Sequence, residues 1–209
     1  MTNADFRQLW LCFGQAAAQN KEELNRLDAA IGDADHGTNM DRGMQKVAEQ
    51  LTSSPPPTLQ AACKMVAMTL LSTVGGASGA LWGSGLLAAS KVFPDMDSCD
   101  DKTLAAALQA FVSSIQQRGK AVAGDKTMLD VFLPATAELS QEVDHAPAAS
   151  VIPPIAAKAK LWAEGTAPLL AKRGRAAYLG PRSIGHIDPG ATSSALWWDC
   201  LGQVMGASK

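Results

Sequence analysis

The chain has 209 residues, 47% hydrophobic and 18% charged, the balance an ordinary soluble domain needs to bury one sizeable core. Eighteen Lys and Arg against 20 Asp and Glu leave a net charge of −2, which excludes a general field for nucleic acid or an anionic membrane. No apolar run reaches the length of a membrane span and no charged stub with an apolar stretch opens the chain, so the expectation is a single cytoplasmic domain, residues 1–209.

Helical periodicity dominates the pattern. Phe6, Leu9, Trp10, Phe13 and Ala17 recur at steps of three and four, one stripe of a first helix. A second, short helix carries Leu24 and Leu27 and stops before the Ile31-Gly32 turn. The next begins near Gly37 and runs to about Leu51, ended by Ser53-Ser54-Pro55-Pro56-Pro57. Thr58 caps a helix whose apolar face is Leu59, Ala62, Cys63, Val66, Leu70 and Leu71. The run Gly75-Gly76-Ala77-Ser78-Gly79 breaks it and opens another, ending near Pro94. Asp100 or Asp101 starts the strongest pattern, through Leu104, Leu108, Phe111, Val112 and Ile115, with Gly119 as its stop. Residues 126–143 are again amphipathic, bent at Pro134. A further helix follows Pro153-Pro154 through Ile155, Ala159, Trp162 and Leu169, with a kink at Pro168, and the last starts at Pro189-Gly190. No alternating β-branched segment competes, so the fold class is all-α, about eight helices in an antiparallel bundle. Cys12, Cys63, Cys99 and Cys200 form no CxxC pair and read as free buried thiols.

Four interhelical loops differ from the rest: residues 31–43, 73–85, 119–128 and 174–193. Antiparallel helices bring alternate connections to one end of a bundle, so these segments are expected to meet at one rim. In the first, Asp33 and Asp35 are two apart, which in an extended loop turns both carboxylates to one side, and Asp28 sits on the helical turn before them. A helix cap needs one Asp. Three converging carboxylates repel one another unless cations neutralise them, and an oxygen-only set with open positions suits magnesium shared with substrate phosphates. His36-Gly37-Thr38-Asn39 follows at a helix start, where free N–H groups make a phosphate seat. The Gly75 to Gly79 run repeats that arrangement with Ser78, although such glycines are more often packing devices. Residues 119–127, GKAVAGDKT, fail as a Walker A loop, because Asp125 separates the second glycine from Lys126 and no strand precedes them. They remain candidates to close on a base or ribose, with Met128 as a soft contact. Arg173, Arg175 and Arg182 supply cation density in the last loop, and Asp188-Pro189-Gly190 starts the final helix.

With these loops taken together, GDADHGTNM, GGASG, GDKTM and GRAAYLG followed by RSIGH and DPGA, the chain resembles the nucleotide-binding L subunit of bacterial dihydroxyacetone kinase, the Dak2-type domain, over nearly its whole length. The resemblance implies an eight-helix antiparallel bundle or barrel with ADP or ATP in a deep pocket at one end. It implies two magnesium ions on Asp28, Asp33 and Asp35, and nucleotide contacts from His36, Gly37, Thr38, Asn39, Ala77, Ser78, Gly119, Met128, Arg175, Asp188, Pro189 and Gly190. No side chain is assigned as a catalytic acid or base. The triose would sit on a separate K subunit, and bound ADP would be rephosphorylated by a phosphotransferase-system M subunit drawing on phosphoenolpyruvate. The length of 209 residues favours this stand-alone form over the fused, ATP-exchanging kinases. Kinase action on another triose or tetrose, and a binding module whose nucleotide state a transcriptional regulator reads, are the alternatives. Ala177 and Pro181 depart from the family pattern, at places that bear on partner contact or rim shape.

Overall fold

Short polar side chains set where several of the helices begin. Thr2 accepts the Asp5 N–H at 3.1 Å while Asp5 accepts the Thr2 N–H at 2.8 Å, a reciprocal cap that starts α1 (Asn3–Gln19). Thr58 caps α4 (Leu59–Thr73) through the Ala61 N–H, and Asp100 caps α6 (Asp101–Gly119) through the Thr103 N–H. The others are α2 (Lys21–Ile31), α3 (His36–Ser53), α5 (Gly76–Ser90), α7 (Leu129–Glu142), α8 (Ala148–Glu164) and α9 (Pro189–Ala207), with a 3₁₀ segment at Arg175–Ser183. The structure, a computed structural model, describes residues 1–207, and no strand occurs among them.

Eight helices close into a ring. Following the chain, α1 packs on α3, then each of α3 to α8 packs on its successor, and α9 returns to α1. The ninth, α2, packs on α3, α9 and the 3₁₀ segment instead of taking a place in that ring. Burial of the apolar stripes holds the ring together, and its centre is Trp82 of α5, 1% exposed. Its ring centroid lies 5.5 Å from those of Phe13, Phe111 and Phe132, and 6.1 and 6.2 Å from those of Trp10 and Trp197. One side chain thus touches α1, α6, α7 and α9 at distances that favour aromatic pairing. Around it, α5 presents glycine where neighbours come close: a Cβ on Gly83 would strike Leu71, and one on Gly85 would strike Phe111.

At the end where α1 begins, the 91–100 connection seals the ring. The N–H groups of Asn3 and Leu59 donate to the carbonyls of Asp97 (2.6 Å) and Met96 (2.9 Å), and that of Cys99 to Met1 (3.0 Å). The connections after α2, α4, α6 and α8 lie at the opposite end.

Several boundaries differ from the sequence expectation. The left-handed residue closing α6 is Lys120 (φ 50°), one after Gly119. Lys126 also has positive φ, so α7 starts three residues later than expected. Helix α8 begins at Ala148 and carries Pro153 and Pro154 inside it, then ends at Glu164, before Pro168 and Leu169. The two prolines forfeit backbone donors, but Ala148, Val151 and Ile152 ahead of them are buried, and that burial keeps the first turn helical. Cys12 and Cys200 are not free: they pair as a disulfide between α1 and α9, with Cα atoms 5.7 Å apart, and only ring closure brings such distant positions together. Cys63 and Cys99 are free, and burial pushes both thiols up.

Trp82→Ala should lower the unfolding free energy by about 3–5 kcal/mol, because the ring cannot collapse into the vacated centre. A denaturant titration reads this as a lowered midpoint. An unchanged midpoint would mean that the hub does not hold the ring.

Candidate functional site

The open end holds a cavity of about 450 Å³, within the range of sites that enclose a small organic ligand. All four loops singled out by sequence line it. Asp28 reaches it from α2, Asp33, Asp35, His36 and Asn39 come from the first loop, Ala77 and Ser78 from the second, Gly119 and Met128 from the third, and Arg175, Asp188, Pro189 and Gly190 from the last. Gly37 and Thr38 do not line it. A Cβ on Gly37 would strike the Lys21 carbonyl, and the Thr38 N–H donates to Asn25 Oδ1 at 3.0 Å, so both residues face α2.

Asp28, Asp33 and Asp35 each offer a carboxylate oxygen within 4.8 Å of the others, a spacing that one cation can span. An extended loop does not produce this convergence. Ala34 has φ 64°, and this left-handed step between the two outer acids folds the loop back. Asp28, buried on the last turns of α2, accepts the N–H groups of Asp35 (2.9 Å) and His36 (3.2 Å). At the α3 start, Asp28 and Asn25 therefore take up the N–H groups of His36 and Thr38. Asp35, at the capping position, makes no capping bond of its own. The group has only oxygen donors and more carboxylates than cationic partners, which fits magnesium. Arg175 Nη2 lies 3.0 Å from Asp33 Oδ2 and is the only ion-pair partner of the three acids among the described residues.

The start of α5 differs from those of α3 and α9. Gly75 is its capping residue and makes no side-chain cap, so the helix start at the cavity is uncapped. At α9, by contrast, Asp188 Oδ2 accepts the Ala191 N–H at 2.7 Å. Burial pushes the Asp188 carboxyl up to about 7; Ala191 and Lys126 oppose the rise, and Asp130 and Asp28 add to it.

His36 bridges two of these elements. Its Nε2 is 3.0 Å from Ser193 Oγ on α9, and its Nδ1 is 3.3 Å from Ser78 Oγ on α5. Burial holds the imidazole below its usual range against the pull of Asp28 and Asp35, so at neutral pH it is uncharged and works through hydrogen bonds. Asn39 is held by Arg42, whose Nη2 donates to Asn39 Oδ1 at 2.6 Å while its Nε donates to the Thr73 carbonyl at 3.0 Å. Sequence reading passed over Arg42 and Ser193, which look like ordinary helix residues until α4 and α9 are placed beside α3. It also passed over Arg118, on the cavity wall at the end of α6.

An all-α ring that opens onto an oxygen-ligand cluster beside an uncapped helix start defines a binder of polyanions assisted by a divalent cation. The chain belongs to the DAK2 domain family, whose model matches residues 30–203. It is 41% identical over 200 residues, covering 94% of each chain, to a Listeria innocua protein named PEP-dependent dihydroxyacetone kinase 1, ADP-binding subunit DhaL. It is 42% identical over 193 residues, 92% of this chain and 93% of the other, to the PTS-dependent dihydroxyacetone kinase, ADP-binding subunit DhaL, of Lactococcus lactis. The dihydroxyacetone kinase of C. freundii, solved in complex with AMP-PNP and Mg2+, shares the fold with a TM-score of 0.74 at 23% identity. The match covers 97% of this chain and 34% of that one.

Ala34→Gly tests the folded-back loop. Relief of about 1–2 kcal/mol of left-handed strain exceeds the added chain entropy of about 0.4–1 kcal/mol, so stability should rise by roughly 0.5–1 kcal/mol. A drop in thermal midpoint would show that residue 34 is not left-handed in solution.

Proposed function

We propose that the chain, acting as one unit over residues 1–209, is the cytoplasmic ADP- and ATP-binding subunit of a dihydroxyacetone kinase. It would pass the γ-phosphoryl of magnesium-ATP to dihydroxyacetone held on a separate K subunit, and its ADP would be recharged by an M subunit that draws on phosphoenolpyruvate. The observation that carries this reading is the trio of carboxylate oxygens within 4.8 Å of one another on the wall of a cavity of nucleotide size. Relatives of matching length, both named ADP-binding subunits, support it.

Asp28, Asp33 and Asp35 would hold two magnesium ions, which when bound neutralise the polyphosphate. The α5 start and Ser78 would seat the phosphates. A phosphate oxygen beside Ser78 would select one arrangement of the serine–histidine pair: Ser193 turns its hydroxyl from the Gly190 carbonyl (3.1 Å) to donate to Nε2, Nδ1–H donates to Ser78, and the Ser78 hydroxyl proton turns to the ligand. Arg175 can exchange Asp33 for the transferring phosphoryl, where a guanidinium screens the developing charge. Met128 and Gly119, on the same wall, would meet the nucleoside. Positioning and charge neutralisation suffice for this transfer, and no residue is asked to act as a base.

Asp33→Asn and Asp35→Asn separate metal binding from folding, because neither side chain caps a helix. Calorimetry with magnesium and ADP should show affinity falling by about tenfold or more in each, with stability little changed. Asp28→Ala should lose binding and also about 1–2 kcal/mol of stability, since it leaves two N–H groups at the α3 start without an acceptor. Unchanged magnesium-ADP affinity in all three variants would end this reading. Phosphate flow from phosphoenolpyruvate to dihydroxyacetone in a mixture reconstituted with K and M subunits tests the partner assignment.

A further inference from the structure

The Walker-like loop holds two buried charges that the proposed chemistry leaves unused. Lys126 is 1% exposed, and its ammonium donates to the carbonyls of Thr166 (2.8 Å), Ala167 (3.2 Å), Leu169 (3.2 Å) and His186. It forms no ion pair among the described residues, and backbone dipoles from two stretches of one long connection replace its water. Asp125, 2% exposed, pairs with Lys172 Nζ and Arg173 Nε, each at 3.3 Å, and its backbone carbonyl accepts the Lys172 N–H at 3.1 Å. Asp130 braces the loop from behind by accepting the N–H groups of Gly124 (2.5 Å) and Thr127 (2.7 Å).

All of these bonds except the Asp130 brace end on the connection between α8 and α9, residues 165–188. A connection of this length, whose regular structure is one 3₁₀ segment broken at Gly180, needs more to order it than its own bonds, such as those from the Ala171 N–H to Ser183 Oγ (3.0 Å) and from the Gly185 N–H to the Ala167 carbonyl (2.8 Å). Its own apolar cluster is small: Ala171 and Ala176 packed with Ile31. Lys126 has φ 63°, a conformation glycine would adopt with less strain, so what this position retains is the side chain.

We propose that Asp125 and Lys126 are positioning residues, a clasp that holds residues 165–188 in the shape presenting Arg173, Arg175 and Asp188 to the cavity. Asp125 anchors the arginine-bearing stretch from one side. Lys126 gathers the turn after α8 and the residue two before Asp188 around one ammonium. The consequence for nucleotide binding rests on the functional reading above; the clasp itself does not.

Hydrogen exchange on nucleotide-free Lys126→Met and Asp125→Asn proteins tests the clasp without any ligand. Amides in 165–188 should lose protection while those of α4 to α6 keep theirs. Unchanged protection of 165–188 in both variants, or equal loss throughout the chain, overturns the proposal. Asp125→Asn retains an acceptor for the Val122 N–H, which Asp125 now accepts at 3.1 Å, so it is the gentler of the two changes. A double-mutant cycle then asks whether Asp125 acts through the arginine segment. Asp125→Asn and Arg175→Ala should each weaken magnesium-ADP binding by about tenfold, and the double variant should lose no more than the worse single one. Additive losses would reduce Asp125 to general scaffolding and overturn the positioning role. Failure of the unaltered protein to bind magnesium-ADP would instead sink the functional reading, leaving the exchange experiment to decide the clasp alone.

Discussion

One carboxylate has to satisfy two demands, and the site is arranged around that. Asp28 accepts the N–H groups of Asp35 and His36, so it starts α3, while offering an oxygen to the cluster with Asp33 and Asp35. The two demands agree in sign, since a helix start and a cation both favour a negative charge there. They also agree in geometry, because the capping bonds tie residues 35 and 36 to α2 and draw the outer acids towards Asp28. Gly32 makes room for this: a Cβ there would strike the Asp28 carboxylate.

The ring decides what else can join that carboxylate. With one end strapped by the 91–100 connection, the loops at the other end are brought together, and each contributes a different chemistry. The first supplies acids, the second an uncapped helix start, the third a pair of buried anchors and the last the arginines. The glycine-rich stretch at α5 divides its work along the helix: Gly75 and Gly76 belong to the cavity wall, while Gly83 and Gly85 admit Leu71 and Phe111.

Much of this was legible in the sequence, because the signals were local. Apolar spacing, the Thr58 and Asp100 caps and the clustered acids each report on a few consecutive residues, and the helices and the cluster follow. The features that escaped depend on contacts between distant segments. Pro153 and Pro154 read as a boundary because their lost donors are visible and the burial of Val151 and Ile152 is not. Gly37 and Thr38 read as cavity residues because nothing local reveals that they turn to α2, against Lys21 and Asn25. The pairing of Cys12 with Cys200 is the same case at the longest range. The resemblance to a known family supplied the ligand and the partners, which spacing alone did not.

The seam between α1 and α9 sets the order in which the molecule can become competent. Contacts that span nearly the whole chain are slow to form, because the entropy of bringing the ends together is spent before any packing is gained. Asp188 immediately precedes α9 and Ser193 lies on it, so the acid cluster, complete as soon as α2 and α3 exist, stays without its opposite wall until the final helix arrives. During synthesis the acids would therefore emerge long before a pocket exists to enclose a ligand beside them, and polymer closure and site assembly would be one event.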